Sequence, residues 1–327
     1  MTTGVPRCCV NSTELVKWHL ATTCAPEPAR EDRLEQWMLD SGAQSLMERS
    51  GDFRQYDDYC RSQPSPEAEQ QVLKDVSRTS STVPVDALRR LLLAHAVRNP
   101  HIGYTQGLNF VSATLLREAS SEEDAFWLLC AITELLLPQH YLPSLVGVRT
   151  DARVLDELLA EHGTLADLPA IFDGAGFELG VVTPHWLMLA FCETLPHELT
   201  LRVWDLFFSL GSRVLLATAL TLMGFQAPRL REASSSFGSI YALLRQPEIG
   251  SLTASEFLGA LLFELHFLPD SRVGLLRSKS RPTTPLEPHE YRQFRFAFRH
   301  RGRRGSSWSR SKLKGTNRKF DAFDMVV

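Results

Sequence analysis

No stretch of the 327-residue chain alternates apolar and polar side chains for long enough to make a convincing strand, whereas apolar residues at helical spacing recur along most of it. An all-α fold follows as the expectation. Start and stop signals divide the pattern into segments joined by short loops. Residues 84–98 open with Pro84 in a first-turn position, carry Val85, Leu88, Leu91, Leu92 and Ala96 on one face, and stop at Asn99-Pro100. Residues 104–118 place Leu108, Val111, Leu115 and Leu116 at the same spacing, and 121–137 and 151–162 repeat it. Thr183-Pro184 predicts a helix through Leu195, followed by helices over 198–211 and 213–226. Thr253 with Glu256 forms a capping-box pattern ahead of FLGALLFELHFL. No internal repeat period is detectable.

Composition narrows the class further. A hydrophobic content of 44% and a charged content of 22% are ordinary for a soluble globular chain, and no run approaches the length of a membrane span. The first residues show no secretory pattern, so a cytoplasmic location is the default expectation. The six cysteines, at 8, 9, 24, 60, 130 and 192, include no CxxC pair, and the ten histidines include no HExxH. A metal site is not expected. Cys130 and Cys192 read as small packed hydrophobes.

The net charge of −3 conceals a division: from residue 272 onward there are 15 Lys and Arg against 4 Asp and Glu, a surplus of 11, which leaves −14 upstream. Three parts result: an irregular lead-in over 1–30, a helical body over 31–270, and a basic tail over 271–327 with the composition of a disordered segment.

Two short stretches hold the candidate chemistry. In VLKDVSRTSS (72–81), Asp75 and Arg78 are three apart, neighbours on a helix surface if the segment is helical, and taken alone they read as a solvated ion pair. In GYTQGLNF (103–110), two carboxamides, Gln106 and Asn109, stand among Tyr104, Leu108 and Phe110. Taken alone they read as polar residues satisfying the first turn of a helix. A buried amide left without a partner costs about 1–3 kcal/mol, so each is either capping something or waiting for something.

The joint pattern is more specific. VLKDVSRT, then GYTQGLNF, then WLMLAFCETLP at 186–196 and LRVWDLFFSLG at 201–211, resembles the TBC-domain family of Rab GTPase-activating proteins. That family carries I-x-x-D-x-x-R and Y-x-Q-G-x-N patterns. The first is present as Val72, Asp75 and Arg78, with Val in place of Ile, and the second is complete in Tyr104, Gln106, Gly107 and Asn109. The resemblance covers 31–270 and implies an all-helical TBC-type domain. It also implies that Arg78 is an arginine finger and Gln106 a glutamine finger, both acting in trans on a Rab-family GTPase. Asp75, Tyr104, Gly107 and Asn109 would support the finger loops, and Gly103 and Gly107 would allow close approach of the partner backbone.

In this view the chain is an activator of GTP hydrolysis in vesicle trafficking rather than an enzyme with a cofactor of its own, because GTP and Mg²⁺ are carried by the partner. A noncatalytic Rab-binding scaffold or effector is the alternative. Trp204 and Asp205 match the downstream motif, but a Trp beside Leu206, Phe207 and Phe208 reads as core. Arg202 could pair with a carboxylate across helices. Residues 4–18, GVPRCCVNSTELVKW, echo only the Gly-Val-Pro of the family's usual opening. The tail reads as a solvated linker, as a contact to anionic membrane on an endomembrane surface, or, least favoured, as a nonspecific nucleic-acid contact.

Overall fold

In the computed structural model the described residues are 28–51, 54–79, 83–233, 236–249 and 253–283, and all regular structure among them is helical. The weak helical hint at 12–20 and most of the basic tail lie outside them. The helices are α1 (Arg30–Asp40), α2 (Ala43–Gly51), α3 (Tyr56–Arg61), α4 (Pro66–Val76), α5 (Val85–Arg98), α6 (Leu108–Glu118) and α7 (Glu122–Ala131). Then come α8 (Val146–Glu161), α9 (Leu168–Ala175), α10 (Thr183–Leu187), α11 (His197–Leu210), α12 (Arg213–Glu232), α13 (Phe237–Arg245), α14 (Ala254–Phe267) and α15 (Asp270–Ser280).

Local chemistry explains most of the boundaries. Ser65 caps α4 by accepting from the Ala68 amide, Ser121 caps α7 by accepting from Asp124, and the Thr253–Glu256 capping box opens α14. A buried stretch with little polar relief sits at the centre of each half. In α7 every residue from Ala125 to Ala131 is buried, and α2, α5 and α6 pack round it. In the second half the 20-residue α12 has the same position among α11, α13 and α14. The halves are joined where α1 packs on α11: Trp37 lies 4.9 Å from Phe208 and 5.9 Å from Trp204, centroid to centroid.

Several boundaries differ from those read off the sequence. The expected helix over 183–195 stops at Leu187, because Ala190 (φ 42°) and Phe191 (φ 64°) turn left-handed while Phe191 stacks under Trp186 at 5.8 Å. Burying the Phe191 ring wins over helix continuation. The helix expected to end at 226 continues through Pro228 to Glu232. The helix expected over 151–162 begins at Val146, and Val85, placed on a buried face, is 56% exposed.

The expected tail also begins later than residue 271. Helix α15 packs on α8, burying Val273 and Leu276, and Arg277 of α15 donates two 2.7 Å hydrogen bonds to the buried Asp151 carboxylate. Residues 271–280 therefore belong to the folded body.

Gly147, one residue into α8, allows a close crossing. Its amide donates to the Gln139 carbonyl at 3.0 Å, and an added Cβ would lie 2.6 Å from His140 Nδ1, 2.7 Å from the Gln139 carbonyl carbon and 2.9 Å from the His140 amide. Two of those atoms are backbone and cannot swing away. Gly147→Ala is expected to cost about 1–3 kcal/mol of stability, typical of overpacking. Thermal denaturation checks this: an unchanged midpoint would mean the 138–147 turn yields more easily than its contacts indicate.

Candidate functional site

Helix α4 ends at Val76 and α6 begins at Leu108, and the segments just outside these two ends meet. The exit from α4 is a tight turn in which the Arg78 amide donates to the Asp75 carbonyl (3.1 Å) and the Thr79 amide to the Val76 carbonyl (3.2 Å). Arg78 thus stands in a turn beyond the helix, not on its surface as expected for a helical 72–81. Its side chain is exposed and makes no hydrogen bond or ion pair among the described residues.

The entry to α6 is anchored further back. Asn99 donates through Nδ2 to Glu134 (2.9 Å), the carboxylate that also holds Arg98, and its carbonyl accepts from Ile102 (3.0 Å) and Gly103 (2.8 Å). Gly103 (φ 61°) and Gly107 (φ 110°) both take left-handed conformations. They bend the chain on either side of Gln106, which is why the helix starts at Leu108 and not at 104. Thr105 donates to the Tyr141 carbonyl at 3.1 Å, fixing the loop between the two glycines.

A chain of hydrogen bonds ties the two segments together. Asn109 Nδ2 donates to Thr79 Oγ1 (2.9 Å), and the Thr79 hydroxyl donates to the Asp75 carbonyl (2.8 Å). Tyr104 donates its hydroxyl to Asp75 Oδ2 (2.9 Å), with Asn109 Oδ1 a second acceptor at 3.3 Å. Asn109 Oδ1 also accepts from the Gly107 amide at 3.2 Å, so the buried Asn109 amide uses both its ends. Burial pushes the Asp75 carboxyl above its usual range, against the opposing pull of the Tyr104 hydroxyl and the Arg78 guanidinium. Burial and the adjacent Asp75 push the Tyr104 phenol well up, so it stays protonated and donates.

The candidate residues therefore fall into two groups. Asp75, Tyr104, Gly107 and Asn109 form the brace, together with Thr79, which the sequence analysis did not single out. Its signal was a hydroxyl four residues after Asp75 at a helix exit, where Ser and Thr commonly bond back to a carbonyl. Arg78 and the half-buried Gln106 project from the brace, and Gln106 likewise makes no side-chain hydrogen bond among the described residues. An always-charged donor fork and a side chain able both to donate and to accept are thus held on neighbouring loops without internal commitments.

The downstream motif lies elsewhere and is structural. Trp204 is fully buried and donates to the Ala190 carbonyl at 2.8 Å, while Asp205 accepts from Trp37 Nε1 (2.8 Å) and Arg33 Nε (3.1 Å). Arg202 pairs with Asp205 of its own helix at 3.8 Å.

A single helical domain with a braced pair of polar loops defines the class. The sequence profile of the Rab-GTPase-TBC domain matches residues 31–230, and the chain belongs to that family. It is 32% identical over 215 residues to Growth hormone-regulated TBC protein 1 of Homo sapiens, covering 63% of each chain. It is 37% identical over 259 residues to Small G protein signaling modulator 3 of Rattus norvegicus, covering 76% of this chain and 34% of that protein. The chain thus spans less than two thirds of the length of these relatives. Among solved structures it is similar to the Ypt/Rab-GAP domain of Gyp1p (TM-score 0.63, 19% identity, covering 81% of this chain and 95% of that one). It is also similar to the Chlamydomonas flagellar RabGAP TBC domain (TM-score 0.61, 21% identity, covering 78% and 84%). At these identities the likeness is one of fold.

Proposed function

We propose that this chain is a GTPase-activating protein for one or more Rab-family GTPases, supplying Arg78 and Gln106 to the partner's active site. The observation that carries the proposal is the contrast within the loop pair: Asn109, Asp75, Tyr104 and Thr79 bond to one another, while the side chains of Arg78 and Gln106 make no hydrogen bond or ion pair among the described residues. Side chains held in fixed loops yet left without partners are suited to act in another molecule.

In the reaction, water attacks the γ-phosphorus of the partner's GTP, a new P–O bond forms, and the bond to the β,γ-bridging oxygen breaks. Negative charge spreads over the transferring group and the leaving oxygen. Arg78 neutralises that charge, because a guanidinium fork is permanently cationic and spans two oxygens at once. Gln106 orients the attacking water by accepting from it and donating to a second oxygen. The chain needs no cofactor for this, since GTP and Mg²⁺ arrive with the GTPase, and no covalent intermediate forms on it.

Single-turnover GTP hydrolysis across a panel of purified Rabs tests the proposal. Acceleration of one or a few members is expected. A Rab that binds in its GTP form without being accelerated, with no other member accelerated, would replace this reading with that of a noncatalytic scaffold.

A further inference from the structure

A cavity of about 280 Å³ lies where α2, the start of α3 and the end of α5 come together, lined by Leu46, Arg49, Ser50, Arg54, Tyr59 and Arg98. It contains none of the brace or finger residues. Arg98, half-buried, is its fixed element: Nε and Nη2 hold the two oxygens of Glu134 at 2.7 and 3.0 Å, and the guanidinium lies 4.9 Å from the Trp127 ring centroid. The remaining nitrogen, Nη1, donates to both Ser50 Oγ and the Tyr59 hydroxyl, each at 3.0 Å. Arg54 lies over the same Tyr59 ring, 4.4 Å from its centroid, so two guanidinium groups converge on one phenol.

The cavity is rich in unspent donors and has no unspent acid. Ser50 and Tyr59 both accept from Arg98, which leaves each hydroxyl its own proton, and neither donates it to an acceptor among the described residues. Arg49 commits only Nε, to the Ser45 carbonyl at 3.1 Å, and Arg54 commits only Nη2, to the Asp58 carbonyl at 3.3 Å and to Ser62 Oγ. Neither has a carboxylate partner among the described residues. The acids nearby are taken: Glu134 by Arg98 and Asn99, Asp58 by the Gln55 amide and Arg61 (3.0 Å each), and Glu48 by Gln44 at 2.9 Å. In a body whose net charge upstream of residue 272 is −14, three arginines round one cavity are a local reversal of sign.

We propose that this cavity is a binding site for a phosphate monoester, carried either by a soluble inositol or sugar phosphate or by a phosphoinositide headgroup. A phosphate monoester brings a charge of about −1.5 to −2 and three strong acceptor oxygens, which match two uncommitted guanidinium groups and two hydroxyl donors. A carboxylate offers one charge and two oxygens and would leave donors unused. The volume points the same way: it is below the range of about 300–1,000 Å³ that holds drug-sized ligands, so it admits a small charged group and leaves the carrier outside. Arg98 and Tyr59 are held in place by Glu134 and by ring contacts before any ligand arrives, so little ordering is needed on binding. The site stands independently of the GTPase-activating proposal.

Calorimetric titration of the full chain with inositol trisphosphate, and with unphosphorylated inositol as the control, tests this. Saturable one-to-one binding of the trisphosphate alone is expected, with a rise in thermal midpoint on saturation. Arg49→Gln/Arg54→Gln should weaken it by about tenfold or more, because hydrogen bonds to charged groups are the stronger ones. Arg49→Glu reverses one charge at an exposed position without touching the Tyr59 stack, so it should weaken binding at least as much while the ligand-free midpoint holds. Sedimentation with phosphatidylcholine vesicles, with and without phosphatidylinositol bisphosphate, separates the sources. Sedimentation that depends on the bisphosphate and is lost in both variants identifies a headgroup, and trisphosphate binding without sedimentation identifies a soluble phosphate. No saturable binding by the wild type would overturn the proposal. Binding by Arg49→Glu and the double variant at wild-type strength would overturn it equally, by placing the phosphate elsewhere on the chain.

Discussion

Arg78→Ala is expected to lose most of the acceleration of GTP hydrolysis that the wild type gives its best Rab, a fall of about 10³- to 10⁵-fold, with no change in thermal midpoint. The size follows from the transition state: an arginine finger meets charge that exists fully only there, so its removal raises the barrier by roughly 4–7 kcal/mol while binding changes little. The unchanged stability follows from the structure, where the exposed Arg78 side chain makes no hydrogen bond or ion pair among the described residues. Arg78→Lys should not restore the rate, since an ammonium is a point charge without the fork. Gln106→Ala is expected to fall in the same direction, and the double variant to be little worse than the poorer single one, because groups that complete one site act as a unit. The measurement is single-turnover hydrolysis at saturating activator. A Rab accelerated equally by wild type and Arg78→Ala would exclude the finger and leave the activator reading without its chemistry.

Much of this was legible in the chain because it is local. Helix existence followed from apolar spacing, and the starts of α7 and α14 from capping residues within three positions of each other. What the sequence hid is where tertiary packing overrides a local rule. The stretch after Thr183-Pro184 reads as one continuous helix, yet the need to bury Phe191 against Trp186 breaks it. Asp205 is visible in the sequence only as part of a motif, and its partners Arg33 and Trp37 are 172 and 168 residues away. No single-sequence pattern reveals a contact of that range. The helices between 31 and 61 went unread for a similar reason: they are short, and their apolar residues are spaced to meet α7 and α11 rather than to form a long stripe.

The loop pair shows the same limit at the scale of single side chains. Gln106 and Asn109 are the same functional group three residues apart, and their spacing alone does not assign them different fates. Geometry separates them: Asn109 is 2% exposed and bonded at both ends of its amide, whereas Gln106 is half-buried and, among the described residues, bonded at neither. Gly107 contributes to this, since it takes a left-handed conformation and its own amide donates to Asn109 Oδ1. Likewise Arg78 is free to project only because α4 stops two residues earlier, with Thr79 folding back on the Asp75 carbonyl.

Asp151→Ala is expected to cost the largest amount of stability of any single change considered, about 3–5 kcal/mol, as for a buried ion pair broken from one side. For a domain of this size that lowers the midpoint by on the order of 10 °C. Asp151, on α8, accepts from His140 Nε2 (2.9 Å) and from two nitrogens of Arg277 on α15 (2.7 Å each), and the third Arg277 nitrogen reaches Ser212 at the head of α12 (2.8 Å). Burial alone would raise the Asp151 carboxyl, but the His140 hydrogen bond and the interactions with His140 and the Arg277 guanidinium outweigh it and hold the group down at about 2, against an ordinary 3.8. Because the folded value is the lower one, the stabilisation is complete above the ordinary carboxylate range and is lost as pH falls from there through about 2. Denaturant unfolding of wild type and Asp151→Asn over acid pH checks the sign: the gap between them should be widest near neutrality, shrink below about pH 4 and close near pH 2. A gap that stayed constant across that range would mean the carboxylate charge is not what fastens α15 to the body. Val273 and Leu276, buried on α15, would then have to hold that helix in place, and with it the base from which the basic tail departs.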